Sequence, residues 1–280
     1  MSNKLNNSGM RVLFAFKILK RILPIFITLL AISAVNAEPP TLRLLTYNIH
    51  HGRGVDGQLD LERIGRVIAN ASPDIVALQE VDQRANRSGR IDQLAELAKQ
   101  VGMHGRFGPN IKYDGGRYGN AILSRFPFVR TKNHLLPNVK RGEQRGVFEA
   151  HLKLNNETNL VLLATHFDHR RDDQERWESA AFINGISVNL GKEMPLVLMG
   201  DLNDLPTSRT LNKLTSFWKM TNDQPLATVP VDIPVRQIDY VMVAPARRWQ
   251  VVRVEVLDEK IASDHRALLA TVKLRDSAAP

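Results

Sequence analysis

The chain has 280 residues, no cysteine and a formal net charge of +9. The lack of cysteine excludes disulfides, thiolate metal sites and cysteine nucleophiles, so the fold must be held by its core alone. Five of the positive charges (Lys4, Arg11, Lys17, Lys20 and Arg21) precede the first acid, Glu38, and without them the formal charge is +4. That mild positive field suits a phosphate-bearing partner but is weak evidence for nucleic acid.

Residues 1–37 read as a secretory leader: a basic start, an apolar segment from Ile22 to Val35, and small residues before a polar stretch. Cleavage after Ala37 would put Val35 and Ala37 at the −3 and −1 positions. The apolar segment is shorter than the ~20 residues of a spanning helix. Pro24 and the long polar start leave an uncleaved anchor open, and with it membrane association through the N-terminus. The expected location is the periplasm or the exterior. The remainder, 38–280, shows no repeat or low-complexity linker and reads as a single domain.

Thr41 to Asn48 alternates like a half-buried strand. Asp60 caps a helix to about Asn70, with Leu61, Ile64, Val67 and Ile68 on one stripe. A strand from Ile75 to Leu78 ends at Gln79-Glu80, and a helix follows from about Ile91 to Val101. Strands are expected near Asn120–Ser124, Phe128–His134, Arg145–Leu154 and Leu160–His166, then a helix over Asp173–Leu190. A strand at Leu196–Met199 leads to a short helix near Ser208–Leu214, and strands at Gln237–Val243, Trp249–Leu257 and Ala267–Leu274 complete the chain. Strands alternate with helices in the first half and look antiparallel elsewhere, which predicts an α/β layered domain with sheet inside and helices outside.

The strand ends carry the chemistry. Asn48 closes the first strand, with His50 and His51 just beyond; Glu80 closes the next. His166 ends a third, followed by Asp168 and His169. The apolar run Pro195–Met199 stops at Gly200 and is followed by Asp201, Asn203 and Asp204. If the extended form continues, Asp201 and Asn203 point the same way and Asp204 the other, to cap the turn. Asp239 interrupts an apolar strand, and Ser263-Asp264-His265 precedes the last one. Each group alone has an ordinary reading as a turn, a surface acid or a packed histidine. Six together at six strands point to one site.

The set suits a hard cation. Mg²⁺ (or Mn²⁺) prefers carboxylate and amide oxygen, which makes Glu80 the first metal ligand, supported by Asn48 and Asp264. Asp201 can take a proton from water, with Asn203 fixing the water or a phosphate oxygen. His166 and His265 can donate to developing charge, with Asp239 fixing the ring of His265. This is the equipment of a metal-assisted phosphoester hydrolase.

The blocks Thr46-Tyr47-Asn48-Ile49, Asp74–Glu80, Gly119–Ser124, Thr165-His166, Gly200-Asp201-Leu202-Asn203, Gln237–Tyr240 and Ser263-Asp264-His265 occur in that order along the chain. Their order and content resemble the endonuclease/exonuclease/phosphatase superfamily, of the deoxyribonuclease I-like kind. The resemblance implies a four-layer α/β/β/α sandwich, two mixed and mostly antiparallel sheets with helices on both outer faces. It implies the same residue roles. His50 stands where some nuclease members carry a second metal-binding acid, and Arg145-Gly146 resembles a basic position near the substrate phosphate.

The substrate stays open among nucleic acid, phosphoinositide and phospholipid head group, because fold does not choose. Arg84, Arg87, Arg90, Lys140, Arg141, Arg145, Arg170 and Arg171 can rim a phosphate groove or simply face solvent. No obligate protein partner is evident and a monomer is expected. A secreted scavenging nuclease is one alternative reading. A catalytically silent binding protein on the same scaffold is another, although no metal acid or histidine is missing.

Overall fold

A computed structural model describes residues 40–155, 158–192 and 194–275. The leader lies outside the described residues. The first sheet contains β1 (Thr41–Asn48), β2 (Ile75–Gln83), β3 (His104–Tyr113), β4 (Gly116–Ser124), β11 (Trp249–Val256) and β12 (Leu268–Leu274), in the order β11-β12-β1-β2-β4-β3. The second contains β5 (Phe128–Leu135), β6 (Gly146–Lys153), β7 (Asn159–His166), β8 (Leu196–Asp201), β9 (Lys219–Met220) and β10 (Asp239–Ala244), in the order β5-β6-β7-β8-β10-β9. Only β1–β2 and β7–β8 pair in parallel among the described strands.

Helices α1 (Leu61–Ala71) and α2 (Gln93–Val101) cover the first sheet, and α3 (Gln174–Leu190) and α4 (Arg209–Thr215) cover the second. Their starts follow from capping chemistry. Asp60, Asp92 and Ser208 each accept a backbone N–H three residues on, from Arg63, Ala95 and Leu211. The packing makes three apolar layers, one between the sheets and one under each helix pair. This is the four-layer sandwich that the blocks imply.

The alternation of each strand decides where its polar end points. On β1, Leu42 and Leu44 face the other sheet, while Leu45 and Tyr47 face the helices. Leu162 and Ala164 on β7, Val197 and Met199 on β8, and Val241 and Val243 on β10 also face between the sheets. Asn48, His166, Asp201 and Asp239 share the parity of these residues. Each therefore continues an inter-sheet apolar stripe to the end of its strand.

Two differences from the sequence-based expectation have clear causes. Strand β3 was not anticipated, because Gly105, Gly108 and Pro109 interrupt it. It lies at the sheet edge with a register shift between Pro109 and Ile111, where proline is tolerated. Strand β2 does not stop at Leu78 but runs to Gln83 through a register shift between Leu78 and Val81.

Candidate active site

A regular β2 would send Glu80 toward the helices, with Val76 and Leu78. The bulge and a left-handed backbone at Glu80 (φ 59°) turn it back into the site. Its Oε1 accepts from Asn48 Nδ2 at 3.0 Å, and the same amide nitrogen reaches Asp201 Oδ2 at 3.1 Å. Asn48 therefore enters through its nitrogen. Its carbonyl oxygen accepts the His50 backbone N–H at 3.1 Å. Ser263 Oγ donates to the Asn48 carbonyl at 2.7 Å and ties the last site loop to β1.

Register puts His166, Asp201 and Asp239 side by side across β7, β8 and β10. Gly200 permits the close pairing, since a β-carbon there would collide with the Thr165 carbonyl oxygen. All three side chains are buried. Asp239 Oδ2 receives His265 Nδ1 at 2.9 Å and the Thr228 hydroxyl. Burial opposes charge on His265, but Asp239 and Asp201 outweigh it and hold the imidazolium up to about 10. Burial pushes Asp201 up to about 7; the pull of His265 opposes this and the charge of Asp239 adds to it. Asp201 Oδ2 lies 3.7 Å from His265 Nε2 and 3.4 Å from His166 Nε2.

Asn203 does not lie beside Asp201 on the continued strand that the spacing predicts. Strand β8 ends at Asp201, and Asn203 is left-handed (φ 49°), with its N–H on Asp201 Oδ1 at 2.9 Å. This Asx-type turn swings the amide back, 3.1 Å from His166 Nε2 and onto the Phe167 carbonyl. Asp204 does more than cap a turn, for it pairs with the buried Arg176 of α3 at 3.0 Å. Asp239 opens β10 instead of interrupting it. Asp264 meets the site through His50, with Oδ1 3.9 Å from Nδ1, and stays half exposed at the rim.

Arg145 was expected near a substrate phosphate. It is buried, and its Nη1 lies 2.9 Å from His166 Nδ1 while its Nη2 lies 3.1 Å from His169 Nδ1. A guanidinium only donates, so both Nδ1 atoms accept; on His166 this puts the proton on Nε2, facing Asp201 Oδ2, while the neighbouring Asn203 amide nitrogen donates to the Phe167 carbonyl and not to the ring. Burial and the Arg145 charge hold His166 well below the usual imidazole range. His166 is thus a neutral donor facing Asp201, and His265 a charged one.

His51 and His169 had no assigned role in the sequence reading. His51 joins His50 and Glu80 in a group whose ligand atoms lie within 4.8 Å of one another. Its Nδ1 is buried without a hydrogen-bond partner. Burial, then the charge of Arg87, lowers its pKa to about 4, so it is neutral. A carboxylate and two imidazoles, one of them with an orphaned nitrogen, fit a divalent cation. Asp201, Asp239 and His265 are as closely grouped, but the imidazolium already supplies the positive charge there.

Beside Glu80 opens a polar cavity of about 230 Å³, walled by Arg87, Tyr113, Tyr118, Glu143 and His169. A larger one of about 790 Å³, beside Trp249 and Arg253, contains none of these groups. Two of the arginines that could rim a groove already hold carboxylates: Arg87 pairs with buried Asp82, and Arg170 with Asp168.

The profile of the Endonuclease/Exonuclease/phosphatase family matches residues 45–265, which spans every site residue from Asn48 to His265. The chain belongs to this family. The family comprises hydrolases of phosphoester bonds, nucleases among them, and is generally divalent-metal dependent. The chain is 24% identical to the uncharacterized protein YbhP of Escherichia coli over 248 residues, 84% of this chain and 97% of that one. A family member from Beutenbergia cavernae superposes with a TM-score of 0.71 at 26% identity, covering 85% of this chain and 73% of that one. A mannosyl-6-phosphatase of Bacteroides thetaiotaomicron shares the fold, with a TM-score of 0.66 at 20% identity over 82% of this chain and 99% of that one.

Proposed function

We propose that this protein is an exported, divalent-metal-dependent phosphoesterase that hydrolyses a phosphodiester or phosphomonoester by direct attack of water. The observation that carries this reading is the buried row His166–Asp201–Asp239 completed by His265. It combines one base, one neutral donor and one cationic donor. Asp201 is held by Asn48 on one oxygen and by the Asn203 N–H on the other, so it is positioned to take the proton of the attacking water. The water oxygen bonds to phosphorus as the bond from phosphorus to the ester oxygen breaks, and the electron pair of that bond departs on the ester oxygen, which takes its proton from solvent. His166 Nε2–H and the His265 imidazolium donate to the phosphoryl oxygens, where negative charge builds. Asp239 keeps His265 charged and oriented throughout.

Glu80, with His50 and His51 beside it, would hold the cation, with Asp264 at the rim; Asn48 turns its amide nitrogen to Glu80 and Asp201 and so positions these carboxylates instead of ligating. When bound, the cation would polarise the phosphoryl oxygen and offset charge on the leaving oxygen. The cavity beside Glu80 gives the leaving alcohol a polar seat. Export is supported by the leader pattern in residues 1–37, and by sequencing the mature N-terminus it can be tested: an intact chain from Met1 in the cytoplasm would overturn it.

The test of the reaction is hydrolysis of bis-p-nitrophenyl phosphate with Mg²⁺ or Mn²⁺, with and without chelator. Metal-dependent release of nitrophenolate, lost in Asp201→Asn, is the expected result. No release with several metals would refute the enzyme reading. Running plasmid DNA, RNA, phosphoinositide and sphingomyelin in parallel would assign the substrate.

A further inference from the structure

We propose that His50 and His51 ligate the cation together with Glu80, and that this makes the site select transition-series ions such as Mn²⁺ or Zn²⁺ over Mg²⁺. The role of the bound ion rests on the phosphoesterase reading; its identity follows from the donors. One ligand atom from each of the three residues lies within 4.8 Å of those of the other two. With bonds of about 2.0–2.2 Å, two ligands of one ion sit up to about 4.4 Å apart, so the group closes on a cation with small adjustments.

Each imidazole is prepared for ligation. His50 Nδ1 lies 3.0 Å from the Arg53 carbonyl and 3.9 Å from Asp264 Oδ1. Both neighbours accept, so the proton sits on Nδ1 and the lone pair on Nε2. That is the outer support that ligating histidines ordinarily have. His51 is anchored at its backbone by Gln93 Nε2, 2.6 Å from its carbonyl, while its buried Nδ1 has no partner. Buried polar atoms are rarely left so, and a cation would satisfy this one.

The backbone adds an independent sign. His50, His51 and Glu80 all adopt left-handed φ, at 44°, 45° and 59°. Side chains other than glycine seldom do this, and such conformations collect at ligand clamps. Here they coincide on all three residues of the group. Imidazole suits Zn²⁺ and its neighbours best, and Mn²⁺, an oxygen-preferring ion at the foot of the same first-row affinity series, accepts it more readily than Mg²⁺, which holds to oxygen and water.

The experiment is calorimetric titration of the metal-stripped full chain with MnCl₂, ZnCl₂ and MgCl₂. The Kd for Mn²⁺ should be at least tenfold below that for Mg²⁺, and that for Zn²⁺ lower still. His51→Asn keeps a residue that tolerates the left-handed conformation. It should weaken Mn²⁺ and Zn²⁺ at least tenfold and Mg²⁺ less than threefold. Pulsed electron paramagnetic resonance of the Mn²⁺-loaded wild type should show nitrogen coupling, and this decides the matter even if the variant fails to fold. Equal Mg²⁺ and Mn²⁺ affinities, or no nitrogen coupling, would overturn the proposal. Metal-dependent hydrolysis alongside that outcome would leave the phosphoesterase reading standing. Nitrogen-coupled Mn²⁺ on a chain without hydrolase activity would sink that reading and keep this one.

Discussion

Replacing Arg145 by methionine removes a buried guanidinium and keeps most of its volume. Two donors are lost, one 2.9 Å from His166 Nδ1 and one 3.1 Å from His169 Nδ1. Without the first, His166 is free to place its proton on Nδ1, and its Nε2 then has nothing to donate toward the phosphoryl group. A hydrogen bond to a charged group contributes about 1.5–3 kcal/mol. If that is expressed in the transition state, kcat/KM falls about ten- to 150-fold at roughly 1.4 kcal/mol per decade. Arg145→Lys should be intermediate, since one ammonium cannot match the fork that reaches both rings. The assay is steady-state hydrolysis of bis-p-nitrophenyl phosphate, with nitrogen chemical shifts of His166 reporting its tautomer. A folded methionine variant within threefold of wild type, with the Nε2–H tautomer retained, would refute the argument that Arg145 sets the state of His166.

Asp201 must be ionised to accept a proton, and burial sets it at about 7, so kcat/KM should rise with pH through that value. His265 must stay protonated, and it is held at about 10, so activity should fall above that. Asp239→Asn removes the largest upward pull on His265 and should move the basic limb of the pH–rate profile toward neutrality; an unmoved limb would count against this assignment. On β6, hydrogen bonds from His151 and His134 outweigh burial and lower Glu149 from 4.5 to about 2. Because the folded value is the lower one, Glu149 stabilises the fold above about pH 4.5, and that stability is lost as pH falls toward 2. Glu149→Gln should flatten this stretch of a denaturation-versus-pH curve. Arg87 forks onto Asp82, which is fully buried. Arg87→Met should therefore cost about 3 kcal/mol in urea unfolding, at the lower end for breaking a buried pair because Arg87 is partly exposed; a loss under about 1 kcal/mol would refute it.

What was legible in the sequence was the set of groups at strand ends, because apolar runs with a polar terminus are visible in one dimension. Asn48, His166 and Asp201 stand out this way; Asp239, inside the run Gln237–Val243, reads as an interruption and instead opens its strand. Glu80 was found for a less secure reason. Its run seemed to stop there, whereas a bulge inside a longer strand turns the side chain into the site. Backbone handedness has no one-dimensional signature in His50-His51, so the sequence points only to His50, through its place at a second metal-binding position, and gives His51 no role. The left-handed turn at Asn203 was hidden likewise. Arg145 resembled a phosphate contact, but its fork onto two histidines depends on neighbours more than twenty residues along the chain. Strand β3 escaped because its glycines and proline are tolerable only at an edge, and edge position is a property of the folded sheet.

Asn48 belongs to the first sheet and Asp201 to the second, and a single amide nitrogen joins them. The sandwich is thus laced at one end by the same groups that face the reactants. Whatever draws Glu80 and Asn48 toward the row on β7, β8 and β10 also draws the two halves of the molecule together. Occupancy of the site should accordingly register far from it, as slower amide exchange along the inter-sheet seam.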